Sequence, residues 1–331
     1  MSSLESQLDT IIAEGSSAAL AWKNVGSLEF DATTLSDDEL YCMSFRLIVI
    51  HDLHKEFSIT SNMWIKFITT IKDNMKANPY HNFQHIMDVT QTTNVILLDP
   101  LLSSKLDLLD KFIVLLSALL HDINHPGMNN AYQISANTEL ALLYNDISVL
   151  ESMHACHASK LLLEDNGILQ GVTLDTKKKI RKVMIELILG TDMVKHFAIS
   201  GELSKFNGDK DRNTTLSVED KTLILKSILH MADISNPAKS WNTSKLWSDR
   251  VAAEFFNQGD IERTESLPIS PMCDRNATSQ DESSLGFCDF IVAPYLYQTT
   301  VLAPTVLIPA CKTLKENRDV WHNMLADRLK D

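Results

Sequence analysis

A chain of 331 residues with 44% hydrophobic and 22% charged residues has the make-up of a folded globular protein, long enough to bury a large core. Its 30 Lys and Arg against 43 Asp and Glu leave a net charge of −13, which argues against nucleic acid or an anionic membrane as partner, since both need a basic footprint. Five cysteines, odd in number and without a CxxC pair, argue against a disulfide framework or zinc ribbon and suit a reducing, cytoplasmic compartment. The start Met1-Ser2-Ser3-Leu4-Glu5 has neither the basic region nor the apolar core of a signal peptide. The longest apolar run, Phe112 to Leu120, is about half a membrane span, so no direct membrane insertion is expected.

Ten Gly and nine Pro are about half the usual frequency, which predicts few, long elements: an all-α fold, read as one compact domain over 1–331. In chain order, Ser36-Asp37-Asp38-Glu39 is a capping box ahead of a helix carrying Leu40, Met43, Leu47 and Ile48. Leu108 to Leu120 is apolar on nearly all sides and predicts a central buried helix, ended by Pro126-Gly127. Ile180, Val183, Met184, Leu187 and Ile188 mark one face of an amphipathic helix. Residues 201–215 read as a polar loop. Ser217-Val218-Glu219-Asp220 caps a helix running through Leu225, Ile228 and Leu229 to Asp233, with Asn236-Pro237 just beyond. Residues 259–284, rich in Ser, Asp and Pro, read as a long mobile flap near a site. No internal repeat or low-complexity linker divides the chain.

The chemistry lies in His81-Asn82-Phe83-Gln84-His85, His121-Asp122-Ile123-Asn124-His125 and Asp233. Imidazole and carboxylate suit borderline and hard divalent cations. His81 and His85 are four apart, as are His121 and His125; on a helix that spacing directs both rings of a pair one way. His121-Asp122 at the end of an apolar helix would cost roughly 2–7 kcal/mol per unpaired polar group, a cost that coordination removes. The natural assignment puts His85, His121, Asp122 and Asp233 around one Zn²⁺. The second oxygen of Asp122 could bridge to another cation held mostly by water, as Mg²⁺ or Mn²⁺ prefers. A water shared by two cations is a hydroxide near neutral pH, and two-metal sites commonly hydrolyse phosphate esters. His81, left over beside His85, is placed to protonate a leaving oxygen.

Tyr80-His81-Asn82 with His85, His121-Asp122-Ile123-Asn124-His125-Pro126-Gly127 and Ala232-Asp233-Ile234-Ser235-Asn236-Pro237 together resemble the catalytic domain of the class I cyclic nucleotide phosphodiesterases, an HD-type metal phosphohydrolase family. Asn137-Thr138-Glu139-Leu140-Ala141, Gly190-Thr191-Asp192-Met193, Ala253-Glu254-Phe255-Phe256, Ser270-Pro271-Met272-Cys273-Asp274 and Gly286-Phe287 continue the resemblance, which covers about 36–320 and leaves 1–35 outside it. It implies about sixteen helices and hydrolysis of the 3′ ester of a 3′,5′-cyclic nucleotide, cAMP or cGMP, to the 5′-monophosphate. Carried over to this chain, it makes His81 the general acid and His85, His121, Asp122 and Asp233 the zinc ligands, with Asp122 shared with magnesium. His125, Asn130, Glu151 and Thr191 would hold waters on the metals or orient His81. Phe287 and Val251 would clamp the purine, with Tyr80, Asn236, Phe255 and Met272 also lining the pocket. Regulatory domains or a second copy of the chain are the partners such a domain implies.

Two positions depart from the family. Ser284 stands where relatives carry a glutamine that hydrogen-bonds the purine, a contact worth on the order of 1–3 kcal/mol; Gln280, four residues earlier, substitutes only if this loop folds differently. Glu151-Ser152-Met153-His154 replaces Glu-Asn-His-His. Asn236 matches several cAMP-selective relatives and leans the reading to cAMP. Another HD-type phosphohydrolase, and a cyclic nucleotide-binding module without turnover, are the alternatives. Of the remaining histidines, His51, His54 and His322 read as solvent-facing or capping, His157 and His196 as satisfied or surface groups, and His230 as packed against the site. His154 is the best candidate for a further role.

Overall fold

The structure, a computed structural model, describes residues 3–164, 167–208 and 216–330. Among these there is no strand; seventeen α-helices, several of one turn, are joined by short 3-10 and π segments, as expected of an all-α chain with few turn formers. The Ser36 capping box forms, its side chain accepting from Glu39 N while Glu39 reaches back to Ser36 N. The helix Ser3–Ala21 packs on this Asp37–Ile50 helix and sends Leu8 and Ile11 into the same core that runs to Trp321.

Leu108–Leu120 is the central buried helix, with every residue from Asp110 onward buried. It packs against Phe83–Leu97, and both pack on Val218–Asp233, so the three segments bearing the chemistry meet at one place. Phe83–Leu97 is as deeply buried as its apolar neighbour although it carries Asp88, Gln91, Thr92, Thr93 and Asn94. Partners meet part of this polarity: Gln91 Nε2 donates to the carbonyls of Val25 and Ser27 at 2.9 and 2.8 Å, and Asn94 Oδ1 meets His51 Nε2 at 2.9 Å, while the Thr92 and Thr93 hydroxyls find no partner. Hydropathy alone hides such a helix.

Two expected loops are in large part helical. Residues 201–208 belong to the helix His196–Gly208, because Ile199, Leu203 and Phe206 form a buried stripe at helical spacing; 209–215 lie outside the described residues. At the second, Trp241–Thr264 runs through Gly259, and Gln280–Phe287 is again helix, leaving 265–279 as the connection. Gly259 does not break its helix: a Cβ there would stand 1.9 Å from the Cys273 carbonyl oxygen, so glycine admits the connection against the helix. The connection is anchored as well. Ser270 donates N–H and O–H to buried Glu262 at 2.7 and 2.6 Å, and Arg263 pairs with Asp274 at 2.8 Å. The reading as a free flap is therefore corrected. His54 is corrected too, since it is buried at 6% exposure, edge-on to Phe45.

Candidate metal and phosphoester site

Helix ends build the site. Asn82 caps Phe83–Leu97 by accepting from His85 N at 3.1 Å, which sets His85 in the first turn and leaves His81 just outside the helix. His121 is the C-cap of Leu108–Leu120, and Asp233 is the last residue of Val218–Asp233. Neither histidine pair therefore spans one helical face, as the four-residue spacing suggested. The fold, not the spacing, brings the rings together.

His85 Nε2 lies 3.3 Å from Asp122 Oδ2 and 3.2 Å from Asp233 Oδ1; His121 Nε2 lies 3.2 and 3.3 Å from the same two oxygens. Tetrahedral ligands about 2.0–2.1 Å from a zinc ion stand about 3.3 Å apart, so these four edges match a single small cation. Both imidazoles are wholly buried, and His85 makes no hydrogen bond through either ring nitrogen, an orphan that coordination would satisfy. His121 Nδ1 meets the Ala118 carbonyl at 2.9 Å, which fixes the tautomer and turns the Nε2 lone pair inward. Burial opposes charge on Asp122 and Asp233, but the facing imidazoles outweigh it and hold both carboxyls well below the usual range.

The other oxygen of Asp122 faces outward from this set, with His154 Nε2 at 3.7 Å from Oδ1. His154 Nδ1 meets the Ile123 carbonyl at 2.7 Å, and burial with its cationic neighbours lowers its pKa to about 4. His125 stacks between His154 and His81, at 5.5 and 3.9 Å between ring centres. Glu151 is bound by Asn130 Nδ2 at 3.0 Å, and Asn130 Oδ1 accepts from Leu150 N. Burial and the nearby Asp192 raise Glu151 to about 7. Thr191 is buried and donates to the Ile188 carbonyl at 2.8 Å.

His81 is oriented by a residue the sequence reading quoted in a motif but gave no role: Glu254. One carboxylate oxygen accepts a hydrogen bond from His81 Nδ1–H; the other accepts from the backbone N–H groups of Tyr80 and His81 at 2.9 and 3.0 Å. Burial works against a charged imidazole, yet Glu254 overrides it and the His81 pKa rises to about 9. A lone acidic residue in a motif gives no hint of this partner, because 173 residues separate the two. Asn78, also missed, donates to the carbonyls of His81 and His125 at 2.8 and 2.9 Å and so ties the two histidine segments together. Its side chain fills the space over Gly127, whose φ of +82° and missing Cβ (2.8 Å from Asn78 Oδ1) explain that glycine.

The helix Trp241–Thr264 supplies one wall. Buried Trp247 stands edge-on to Tyr80 and His85, at 5.5 and 5.9 Å, and Val251, Glu254 and Phe255 follow at helical spacing. Val251, Phe255 and Phe287 are half-buried; Met272 is 51% exposed, on a left-handed backbone at φ 65°. Ser284 pairs with Ser248 Oγ at 2.8 Å, and Gln280 Nε2 reaches the same hydroxyl at 3.0 Å from the same face of the helix Gln280–Phe287. Asn236 is 6% exposed and meets Tyr80, not open space. His230 is buried against His196 Nδ1 at 2.9 Å and does not join the cluster.

A family model described as 3′,5′-cyclic nucleotide phosphodiesterase matches residues 80–313, an interval holding every candidate site residue. The chain belongs to this phosphodiesterase family. It is 36% identical over 291 residues to 3′,5′-cyclic-AMP phosphodiesterase 4C of Rattus norvegicus, covering 86% of this chain and 54% of that protein. It is likewise 36% identical over 298 residues to the probable 3′,5′-cyclic-AMP phosphodiesterase pde-4 of Caenorhabditis elegans, covering 87% and 44%. The chain thus spans about half the length of the curated relatives it matches. Among solved structures, the phosphodiesterase domain of the RhoPDE fusion protein from the choanoflagellate Salpingoeca rosetta superposes with a TM-score of 0.88 at 29% identity, covering 95% of this chain and 99% of that one. The all-α fold and the resemblance read from the motifs are both borne out.

Proposed function

We propose that this phosphodiesterase-family chain hydrolyses the 3′ phosphoester of 3′,5′-cyclic nucleotides, cAMP or cGMP, to 5′-monophosphates, with 1–331 acting as one catalytic unit. The observation that carries the reading is the pairing of a four-donor cation site, at tetrahedral spacing, with an imidazole beside it, His81, that is bound through Nδ1 to buried Glu254. His85, His121, Asp122 and Asp233 would hold Zn²⁺; Asp122, through its other oxygen, would share Mg²⁺ or Mn²⁺, with His125, His154, Asn130, Glu151 and Thr191 around it. Cations bound there offset the phosphate charge and acidify a water for attack.

His81 donates its Nε2 proton to the departing 3′ oxygen, and Glu254, bound at Nδ1, stabilises the protonated ring until then. Val251 and Phe287 would clamp the base, with Phe255 and Met272 at its edge and Ser284 facing it. A complete donor set and a poised acid favour turnover over binding alone. The substrate is small, and among the described residues no helix is long and apolar enough to cross a membrane. The length of the relatives supports regulatory segments or a second copy as partners, and the free cysteines support a cytoplasmic setting.

The test is side-by-side kinetics on cAMP and cGMP, before and after chelation and with Zn²⁺ and Mg²⁺ restored. The expected result is loss of turnover on chelation and recovery with metal. Turnover of neither nucleotide with metals restored would overturn the proposal.

A further inference from the structure

The helix Trp241–Thr264 carries a buried polar stripe. Glu254, Gln258 and Glu262, spaced four apart on one face, are 3%, 1% and 1% exposed. Each binds a different segment around the site. Glu254 holds the backbone of Tyr80 and His81, and Glu262 accepts from Ser270 N and Oγ. Gln258, between them, has no part in the hydrolytic reading.

Its amide is bound at both ends. Asn129 N donates to Gln258 Oε1 at 2.9 Å, and a backbone N–H can only donate, which decides the end of the amide that is oxygen. Gln258 Nε2 donates to Asn129 Oδ1 at 3.0 Å and to Glu262 Oε1 at 2.8 Å. The same Asn129 Oδ1 caps the helix Asn130–Ser135 by accepting from Tyr132 N at 2.9 Å.

The next residue, Asn130, accepts from Leu150 N at 2.9 Å and donates to Glu151 at 3.0 Å, which ties that cap to the start of the helix Val149–Leu162. One turn beyond Glu151, His154 Nε2 stands 3.7 Å from Asp122 Oδ1, the oxygen turned away from the four-donor set, and the His154 ring stacks on His125. From Gln258 to Asp122 Oδ1, each step is a hydrogen bond, a chain neighbour, a helical turn or a close polar approach.

We propose that Gln258 is a positioning residue for the second cation: it sets Asn129 and, through Asn130 and Glu151, the groups that face Asp122 Oδ1. The inference rests on the reading above, in which Asp122 shares a second cation, Mg²⁺ or Mn²⁺. It makes one helix stripe hold both halves of the chemistry, the acid through Glu254 and the cation side through Gln258.

The test titrates Mn²⁺ into the zinc-loaded chain and reads free Mn²⁺ by electron paramagnetic resonance. Gln258→Met, Asn129→Ala and the double variant are compared with wild type, and zinc content, kcat and KM on cAMP are read on the same samples. Methionine keeps the volume of Gln258 and removes its amide. It should weaken Mn²⁺ binding about tenfold, the scale of losing an outer partner of a metal site. Asn129→Ala keeps the backbone N–H to Gln258 but loses the cap, and should weaken Mn²⁺ binding at least about threefold. The double variant should match Gln258→Met, since both act through one contact. Zinc should be retained, and kcat and KM at saturating Mn²⁺ should stay within about threefold of wild type, because the acid and the pocket are untouched.

Unchanged Mn²⁺ affinity in a folded Gln258→Met would overturn the proposal. So would losses that add in the double variant, or a parallel loss of zinc, which marks general loosening of the fold. Asn129 is only half-buried, so its alanine variant decides the matter if Gln258→Met does not fold; Mn²⁺ affinity equal to wild type there would refute the positioning role. Should the wild type take up Mn²⁺ yet hydrolyse neither nucleotide, the hydrolytic reading fails while the titration still judges Gln258.

Discussion

Replacing Glu254 by Gln preserves shape and an oxygen for the Tyr80 and His81 N–H groups but removes the charge that holds the His81 proton. Burial alone would drive the His81 pKa below 6.5; with Glu254 it stands at about 9. Glu254 is the largest of the groups that raise it, ahead of Asp122 and Asp233, so the proton depends most on Glu254. At pH 7.5 a group titrating at about 9 is roughly 97% protonated, while one at or below 6.5 is at most about 9% protonated. The variant should therefore retain about a tenth or less of wild-type kcat at pH 7.5 and regain ground as pH falls below 6.5. The assay is the pH profile of the variant-to-wild-type kcat ratio at saturating metal. A deficit independent of pH, or none at pH 7.5, would refute the argument. The linkage sign gives a second reading. A folded pKa raised above its unfolded value stabilises in full below 6.5 and is lost as pH rises through about 9, so the two proteins' Tm difference should narrow towards alkaline pH.

Asp233→Asn removes one charge from the four-donor set and should lower zinc affinity by at least about tenfold, read as metal content after dialysis; full occupancy would count against the assignment. Ser284→Gln should lower KM for at least one nucleotide, by about fivefold for one added hydrogen bond, and no change for either would mean that Ser284 does not face the base. Gly259→Ala forces a Cβ to within 1.9 Å of the Cys273 carbonyl oxygen and should cost about 1–3 kcal/mol in thermal unfolding. Gly201→Ala is its counterpart: the helix His196–Gly208 has nothing within 4 Å of that position, and alanine should stabilise by about 0.5–1 kcal/mol. A melt in which both alanines behave alike would remove the packing account of Gly259.

Local chemistry was legible wherever it is written in neighbouring residues. The Ser36 and Ser217 capping boxes, the apolar Leu108–Leu120 helix and the low Gly and Pro content each report a short-range rule, and each holds in the structure. The candidate cation-binding residues were legible because an unpaired His-Asp dipeptide ending an apolar helix has few other uses. The same short-range reading failed at 201–208 and 259–264, where polar residues and a glycine suggested loops. At the first, Ile199, Leu203 and Phe206 are buried at helical spacing among the polar residues; at the second, Gly259 stays helical and makes room for the distant Cys273 carbonyl.

By itself, then, the sequence determined an all-α fold and the family, and it singled out His81, His85, His121, Asp122 and Asp233 as the candidate set, because those follow from residue type, periodicity and motif. What only the tertiary structure decided is how those groups are held. Neither histidine pair shares a helix face; His81 Nδ1 is bound by Glu254 across 173 residues, and Asn236 is locked by a Lys239–Asp88 pair that spans 151. A hydrogen bond depends on distance and direction in space, and chain spacing carries neither once the partners sit on different helices.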